Sequence, residues 1–439
     1  MTLHRAEKWA YYFALSLVVY MPLHIFLSQS LSVVTGGLEI WKAAKDVILV
    51  LAVFPLLLLA FKQGAFKNKF FRIFMYLGAA YVALYMLFLL FDKNAHTQSA
   101  ITGSVYNTRL LGYFLLGWVV ASAKEGAHYA RTLVKMTLIM CAVVATFGVL
   151  QYFLPKDILT HVGYSVERGV KPNFFIDDKP DFPRVMSTLR DPNSLGAYLA
   201  FPIVYAVYFL FINRAKNEWR VVGRRFLQYL LAICAVCLVL TFSRSGGITV
   251  VTSIIALLLV TTKNKTAHAK RLLPFALVGL VLVGGLYFVF KDSYVVKNLV
   301  FHADESSAEL DPNELRLSFG KQAVQHIQKY PFGEGPGTAG LVAISNPNGG
   351  VLTENYYLQI AYEVGVVGLV LFVAVSGIAV YMLYKASGNN SFALVVLCSG
   401  VGIAAFGMLN HSWSNESLAF VWWFPAGLAS VGLAHKTKA

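Results

Sequence analysis

The stretch YYLQIAYEVGVVGLVLFVAVSGIAVYMLY, residues 356–384, decides the fold. Its apolar run holds a single charged residue, Glu363, and exceeds the roughly 20 residues that a helix needs to cross the hydrocarbon core of a bilayer. Similar apolar runs recur along the chain, which is 57% hydrophobic and only 13% charged. Soluble domains of this length are more polar, so the sequence predicts a polytopic membrane protein.

The apolar runs predict an all-α helical bundle of about twelve transmembrane helices, forming one integral membrane domain over residues 1–439. No small-residue cleavage pattern follows the first run, so we expect it to remain as an anchor. The predicted spans are 9–29, 46–61, 71–91, 108–123, 133–153, 193–213, 226–242, 246–262, 272–290, 356–384, 391–410 and 415–434.

Two connections between spans are long, residues 154–192 and residues 291–355, and the second lies between the ninth and tenth spans. Apolar side chains at helical spacing predict a helix from Glu314 to Tyr330 within the second connection. The sequence YPFGEGPG then ends this helix, because proline and glycine interrupt helical backbone.

The net charge of +15 is explained by orientation in a membrane. If the N-terminus is cytoplasmic, the connections on that side hold 21 of the 37 basic residues, but only Glu7, Glu125 and Glu218 of the 22 acidic ones. This positive-inside pattern predicts cytoplasmic N- and C-termini and places both long connections outside. It therefore requires no nucleic acid as a partner.

Basic residues on the outer side form the candidate site. Arg244 lies in LTFSRSGGITV, residues 240–250, where a new helix starts and two glycines allow an anion to approach. The alternative is an interfacial arginine that only anchors the turn. Arg184 and Arg190 flank RVMSTLRDPNSLGAYL, in which Asp191 and Asn193 predict a turn and a helix cap.

Three further cations lie at predicted helix starts on the outer side. Arg316 begins the helix of the second long connection, and Lys42 and Lys45 lie beside Trp41 near the second span. A role in the interfacial belt is equally compatible with these residues. Together with the arginines they predict a basic cluster at the level of lipid headgroups, where the planar guanidinium matches phosphate oxygens.

Two acidic residues and one histidine are candidates for proton transfer. Glu354, followed by Asn355, begins the tenth span and is either a general base or a charge that complements the helix dipole. Glu363 lies inside the membrane, where a functional or pairing role is the default. His411, in LNHSWSNES, is a second base candidate. The sequence contains no HExxH, P-loop or dinucleotide-binding glycine pattern.

These motifs, in this order, resemble the bacterial O-antigen ligase and Wzy-type O-antigen polymerase family. The resemblance covers about residues 180–370, and residues 1–180 match only in topology. The motifs that carry it are STLRDPNSLGAYL with Arg184 before it, TFSRSGG with Arg244, RLSFGKQAVQHIQKYPFGEGPG with Arg316, and TENYYLQIAYEVGVVGL.

The resemblance implies a lipid-dependent glycosyltransferase of the bacterial inner membrane, with its active site on the extracytoplasmic face. Its donor would be an undecaprenyl-diphosphate-linked oligosaccharide, used without nucleotide sugar, cofactor or metal. A polymerase transfers the glycan to another lipid-linked repeat, and a ligase transfers it to lipid A–core. Ligases commonly carry a histidine where this chain has Glu354, so the chain is closer to the polymerases. Membrane lipid and a chain-length regulator are further candidate partners.

We therefore expect basic residues to bind the diphosphate and Glu354, or else His411, to deprotonate the acceptor. The rivals are ligation to lipid A–core or protein, a transporter or flippase of lipid-linked oligosaccharide, and a non-catalytic scaffold. A transporter would spread charges through several spans, whereas Glu363 is nearly alone at mid-span. The expected diphosphate-binding residues are Arg184, Arg190, Arg244, Arg316, Lys45 and Asn355, and the expected sugar-stacking residues are Tyr356, Tyr357, Trp413 and Phe332.

Overall fold

A computed structural model describes residues 2–91, 97–176, 179–213, 217–261, 312–344 and 346–431, and these are mostly helical. The predicted ninth span, residues 272–290, and residues 291–311 of the second long connection lie outside the described residues. The helices are α1 (Leu3–Tyr20), α2 (His24–Thr35), α3 (Leu38–Lys62), α4 (Lys69–Phe91), α5 (Thr97–Ala121), α6 (Gly126–Phe153), α7 (Pro192–Tyr198), α8 (Ala200–Val207), α9 (Arg224–Leu240), α10 (Arg244–Thr261), α11 (Pro312–Lys329), α12 (Gly340–Ala343), α13 (Tyr356–Ser387), α14 (Ser391–Gly407) and α15 (Glu416–Ser430).

Seven helical segments in the described part of the chain are long and apolar enough to cross a membrane. They are Leu3–Thr35, Leu38–Lys62, Lys69–Phe91, Gly126–Phe153, Pro192–Ile212, Arg244–Thr261 and Tyr356–Ser387. Helices α5, α9, α14 and α15 also coincide with predicted spans, but they are shorter or more polar. The prediction of a helical membrane protein is thus confirmed, while the number of twelve spans stays a prediction.

A short hairpin in the first long connection departs from the all-α prediction. Strand β1 (Phe174–Ile176) pairs antiparallel with β2 (Lys179–Arg184), and Phe174 lies opposite Arg184. Aromatic and β-branched residues favour a strand in β1, and Pro180 and Pro183 exclude a helix in β2. The hairpin ends at Arg184 and so delivers this candidate side chain to the bundle.

The centre of the bundle is formed by α5 and α15. Every residue of α15 is buried, whereas α3 presents exposed apolar side chains such as Leu51 and Phe54, as expected of a surface covered by lipid. Glycines permit the close packing of the two central helices: a Cβ atom on Gly117 would lie 2.2 Å from the Phe424 carbonyl oxygen, and one on Gly427 would lie 2.1 Å from that of Phe114.

Helices α7 and α10 also touch backbone to backbone, which gives a stability prediction. A Cβ atom on Gly246 would lie 2.7 Å from the Gly196 Cα atom, whereas one on the adjacent Gly247 would meet nothing within 4 Å. We expect Gly246→Val to lower the free energy of unfolding by about 1–3 kcal/mol through overpacking. Gly247→Val is the matched control, because it has the same propensity change on the same helix. Equal melting temperatures for the two variants in detergent would contradict the close contact.

Candidate active site

The RDPNS and TFSRSGG motifs are joined by direct hydrogen bonds. Arg184 donates from Nε to the Thr241 carbonyl oxygen and from Nη2 to Asn193 Oδ1, both over 3.0 Å. Ser243 Oγ donates to the same Asn193 oxygen over 2.8 Å. The start of α7 and the start of α10 therefore lie together, and Arg244, an exposed side chain, begins α10 beside them.

Two more segments meet at this end of the bundle. Asn415 caps α15 and donates from Nδ2 to Ser194 Oγ over 3.0 Å, which brings the connection 408–415 to the start of α7. Asn355 donates from Nδ2 to the Met408 carbonyl oxygen over 3.1 Å, which attaches the start of α13 to the same connection. We call this end of the bundle, where α7, α10, α13 and α15 begin, the reaction end.

Glu354 and Arg316 form an ion pair at the reaction end. Arg316 lies on α11, and its Nε donates to a Glu354 carboxylate oxygen; both side chains are about one-third exposed. Helix α11 confirms the predicted loop helix, and it packs on α13 through Ala323 and through His326 stacked on Tyr362 at 4.3 Å. A substrate can therefore approach a carboxylate and a guanidinium that already lie together.

Strained backbone is concentrated at the same end. Among the described residues, the non-glycine residues with positive φ are Ser187 (56°), Phe242 (46°) and Glu354 (46°). All three lie in connections that lead into α7, α10 or α13. Conformations of this kind cost about 1–3 kcal/mol each and cluster at functional sites, because surrounding contacts must hold them.

Glu363 holds the glycine-rich loop after α11 against the bundle. The side chain is fully buried; Oε2 accepts from Asn107 Nδ2 over 2.6 Å, and Oε1 accepts from the Gly337 N–H over 3.0 Å. The backbone of α13 is kinked at Val364 and Gly365, and the Gly335 N–H donates to the carbonyl oxygen of Glu363. Glu363 thus has the pairing role expected of a carboxylate inside the membrane, and it positions the loop that follows α11.

Arg190 lies near enough to His411, at the reaction end, for its charge to act on the imidazole. Burial, and secondarily the charge of Arg190, lower the pKa of the His411 imidazole from 6.5 to about 4, so the ring is neutral at physiological pH. His411 Nδ1 is hydrogen-bonded to Gln359 Oε1 at 3.0 Å, and Nε2 is buried with no hydrogen-bond partner in the described part of the chain. Nε2 thus carries a free lone pair, but the burial that keeps the ring neutral also makes it a weaker base than an exposed imidazole.

Lys45 belongs to a buried ionic network that the sequence did not predict. Its Nζ donates to Asp46 Oδ2 over 2.8 Å and to the Lys42 carbonyl oxygen over 2.9 Å. Asp46 also contacts Arg109 Nη1 at 3.2 Å, and Arg109 Nη2 lies 3.4 Å from Glu416. The expectation that Glu363 is nearly alone among mid-span charges was wrong, because α5 begins at Thr97 and so places Arg109 in mid-helix. Arg109 lies at the edge of the predicted span 108–123, and this charged residue within a span was the sequence signal that could have indicated the network.

The structure revises two further expectations. Tyr356 and Trp413 are buried in the core, where Tyr356 donates to Asn107 Oδ1 and Trp413 packs on Trp423, so neither is placed to stack on a sugar. Phe332 is 79% exposed and remains a candidate. Asn355 caps α13 by accepting from the N–H groups of Tyr357 and Leu358, as well as donating to Met408; its diphosphate role stays a prediction.

A cavity of about 750 Å³ adjoins the reaction end. Its walls come from α2, the starts of α3 and α5, and the segment 166–171. It is lined as well by Leu341, Val342, Ile344, Pro347, Arg190 and Glu416. Most of the lining side chains are polar. Among the described residues, no three His, Cys, Asp or Glu side chains are grouped so as to hold a metal ion.

One continuous segment of the chain matches a known family. Residues 229–373 match the sequence model described as O-antigen ligase. This segment is similar to the O-antigen ligase family. The resemblance predicted from the motifs is thereby confirmed, and the O-antigen ligase segment includes Arg244, Arg316, Glu354 and Glu363. No curated protein matches the chain.

Arg184, Arg190, Lys45 and His411 lie outside the O-antigen ligase segment in sequence. The contacts at the reaction end nevertheless bring Arg184 and His411 to the parts of the segment that carry Arg244 and Glu354. Arg190 lies near His411 and so belongs to the same end of the bundle. Lys45, in contrast, is held in the buried ionic network. The roles of all these residues stay predictions.

Proposed function

We propose that the protein transfers glycan from an undecaprenyl-diphosphate-linked donor to a second glycan at the outer face of the bacterial inner membrane, as a polymerase-type enzyme. The O-antigen ligase segment supports glycan ligation or polymerisation in general. The observation that carries the finer proposal is the meeting of Arg184, Arg244, Arg316 and Glu354 at one end of a bundle of membrane-length helices.

The charge distribution supports an outward-facing reaction end. Lys45 lies at the reaction-end side of α3, and Lys62 ends the same helix about 25 Å away at 1.5 Å per residue. The connection from Lys62 to Arg72 is strongly basic, as cytoplasmic connections are. The reaction end, on the opposite side, would then face outwards, at the depth of lipid phosphates.

Arg244 and Arg316 are the proposed diphosphate ligands. Arg244 is exposed and lies at the N-terminus of α10, so the partial positive charge of the helix adds to its own. Arg184 shapes the turn beneath it through Thr241 and Asn193, which makes Arg184 a positioning residue as well as a candidate ligand. Lys45 is buried and bonded to Asp46, so we do not include it among the proposed diphosphate ligands.

The proposed reaction is a displacement at the anomeric carbon. The acceptor hydroxyl oxygen forms a new bond to C1 of the donor sugar, while the bond from C1 to the diphosphate oxygen breaks and its electron pair leaves with the diphosphate. The hydroxyl proton passes to Glu354, or to His411 Nε2 if that nitrogen lies nearer. The arginines stabilise the charge that develops on the leaving group.

Glu354→Gln tests the proposed base. General-base catalysis contributes about 10²- to 10⁴-fold, so we expect this variant to lose at least 100-fold in transfer rate at unchanged protein level. Glu218→Gln is a matched control, because Glu218 is a half-exposed acid that also pairs with an arginine, Arg131 at 3.6 Å. A Glu354→Gln rate equal to that of the control, together with an inactive His411→Ala, would transfer the role of base to His411.

The test of the function uses the full-length protein in nanodiscs, with an undecaprenyl-diphosphate-linked repeat unit as the substrate and EDTA present. The proposal predicts a ladder of longer lipid-linked products on a gel. A single product formed only after lipid A–core or a protein is added would indicate a ligase. Unchanged substrate with every acceptor, combined with movement of the substrate across vesicle membranes, would contradict glycan transfer and support a flippase.

A further inference from the structure

The cationic side chains that line the cavity differ in whether they already donate hydrogen bonds to other residues. Lys42 Nζ donates to Glu39 and to the Arg168 carbonyl oxygen. Arg168 is bonded through its side chain to Gln29 and Ser32. Arg190, by contrast, has no hydrogen bond or ion pair within the described residues, although it lines the cavity and is only partly exposed.

The hydroxyl group of Tyr106 is the second polar group of the cavity without a hydrogen-bond partner among the described residues. Tyr106 lines the cavity from α5, and its ring is fixed by the Arg109 guanidinium 4.3 Å from the ring centroid. No hydrogen bond to its hydroxyl occurs in the described part of the chain, and the charge of Arg190 acts on it. The ring is partly exposed in the cavity, so the hydroxyl is available to a ligand bound there.

The lining of the cavity suits a sugar, which needs polar groups for its hydroxyls beside apolar surface for its ring faces. Ser28, Gln29, Thr102 and Glu416 present hydroxyl, amide and carboxylate groups. Such groups bind the hydroxyls of a sugar ring from several directions. The volume of about 750 Å³ lies within the range of about 300–1,000 Å³ that is usual for small-ligand sites.

Resting on the proposed function, we propose that this cavity binds the acceptor glycan, with the Tyr106 hydroxyl and the Arg190 guanidinium hydrogen-bonded to its ring hydroxyls. Arg190 immediately precedes the Asp191 cap of α7, and Glu416 begins α15, so the cavity opens directly onto the reaction end. A glycan held there presents its terminal hydroxyl to the donor, whose diphosphate lies at Arg244 and Arg316. Donor and acceptor thus occupy different regions of one site.

The test separates acceptor binding from donor chemistry. The probe is the repeat-unit oligosaccharide on a short alkyl chain without diphosphate, which can accept glycan but cannot donate it. Thr102→Trp fills the cavity from α5, and Ile101→Trp adds the same bulk to an exposed neighbouring position outside the cavity. We expect Thr102→Trp to raise the KM for the probe at least tenfold, with the KM for the donor unchanged and Ile101→Trp like wild type.

Tyr106→Phe gives a second, milder readout, because it removes one hydroxyl without filling space. We expect about a three- to tenfold weaker equilibrium Kd for the probe, measured without donor. Wild-type KM and Kd in both Thr102→Trp and Tyr106→Phe, with product still formed, would overturn the cavity assignment and leave the proposed function intact. Binding of the probe that depends on the cavity but leads to no transfer would keep the site and overturn the proposed function.

Discussion

We expect Arg244→Ala and Arg244→Lys each to lower the rate of glycan transfer at least about 100-fold, while the amount of protein in the membrane stays unchanged. The loss of one preorganised donor to a developing oxyanion typically costs 10²–10³ in rate. Lysine does not restore it, because an ammonium lacks the planar fork that matches two phosphate oxygens. The measurement is product chain length and initial rate in nanodiscs.

Arg225→Ala is the control for this prediction. Arg225, like Arg244, is an exposed arginine in the first turn of a helix. It begins α9, whereas the turn that leads into α10 follows the opposite end of α9. We expect wild-type transfer in this variant. Wild-type chain length in either Arg244 variant would show that the diphosphate is not bound there.

Arg109→Leu produces the largest expected loss of stability. The Arg109 side chain is fully buried and contacts Asp46, Glu416 and the Ser414 carbonyl oxygen. Its removal leaves two buried carboxylates opposite Lys45 alone, and breaking such a buried network costs about 3–5 kcal/mol. The melting temperature of the purified protein in detergent measures this loss.

Arg131→Leu is the matched comparison for stability. Arg131 also pairs with a carboxylate, Glu218 at 3.6 Å, but both side chains are about half exposed. Exposed pairs contribute about 0–1 kcal/mol, so this variant should melt close to wild type. If Arg109→Leu melted as high as Arg131→Leu, the ionic network would not stabilise the bundle.

Much of the fold was predictable because a bilayer imposes simple rules. Apolar length predicted spans that coincide with most of the long described helices, but it did not predict α2 or α12 as separate helices. Asp191 marked a helix start by its capping chemistry. Topology predicted that outward connections meet at one end, and the links through Asn193, Asn415 and Asn355 agree with that.

Hydropathy failed where a helix contacts protein instead of lipid. The first half of α5 is polar, TQSAITGSVYN, and yet it lies within the bundle beside α3, α15 and the glycine-rich loop. Asn107 bonds to Glu363 and Tyr356, and Thr102 and Ser104 bond to carbonyl oxygens of their own helix. Hydropathy therefore began the span too late and placed Arg109 at its edge. The faces of helices were equally unpredictable, which is why Tyr356 and Trp413 were expected at the site and lie in the core.

The central claim is that glycan leaves a lipid diphosphate at the reaction end, and the lipid by-product tests it most directly. The full-length protein in nanodiscs would be given the undecaprenyl-diphosphate-linked repeat unit, and the released lipid would be quantified by mass spectrometry. The account predicts one intact undecaprenyl diphosphate for each glycan transferred, with almost none from Arg244→Ala. Release of undecaprenyl monophosphate in its place, or equal release by Arg244→Ala, would contradict it.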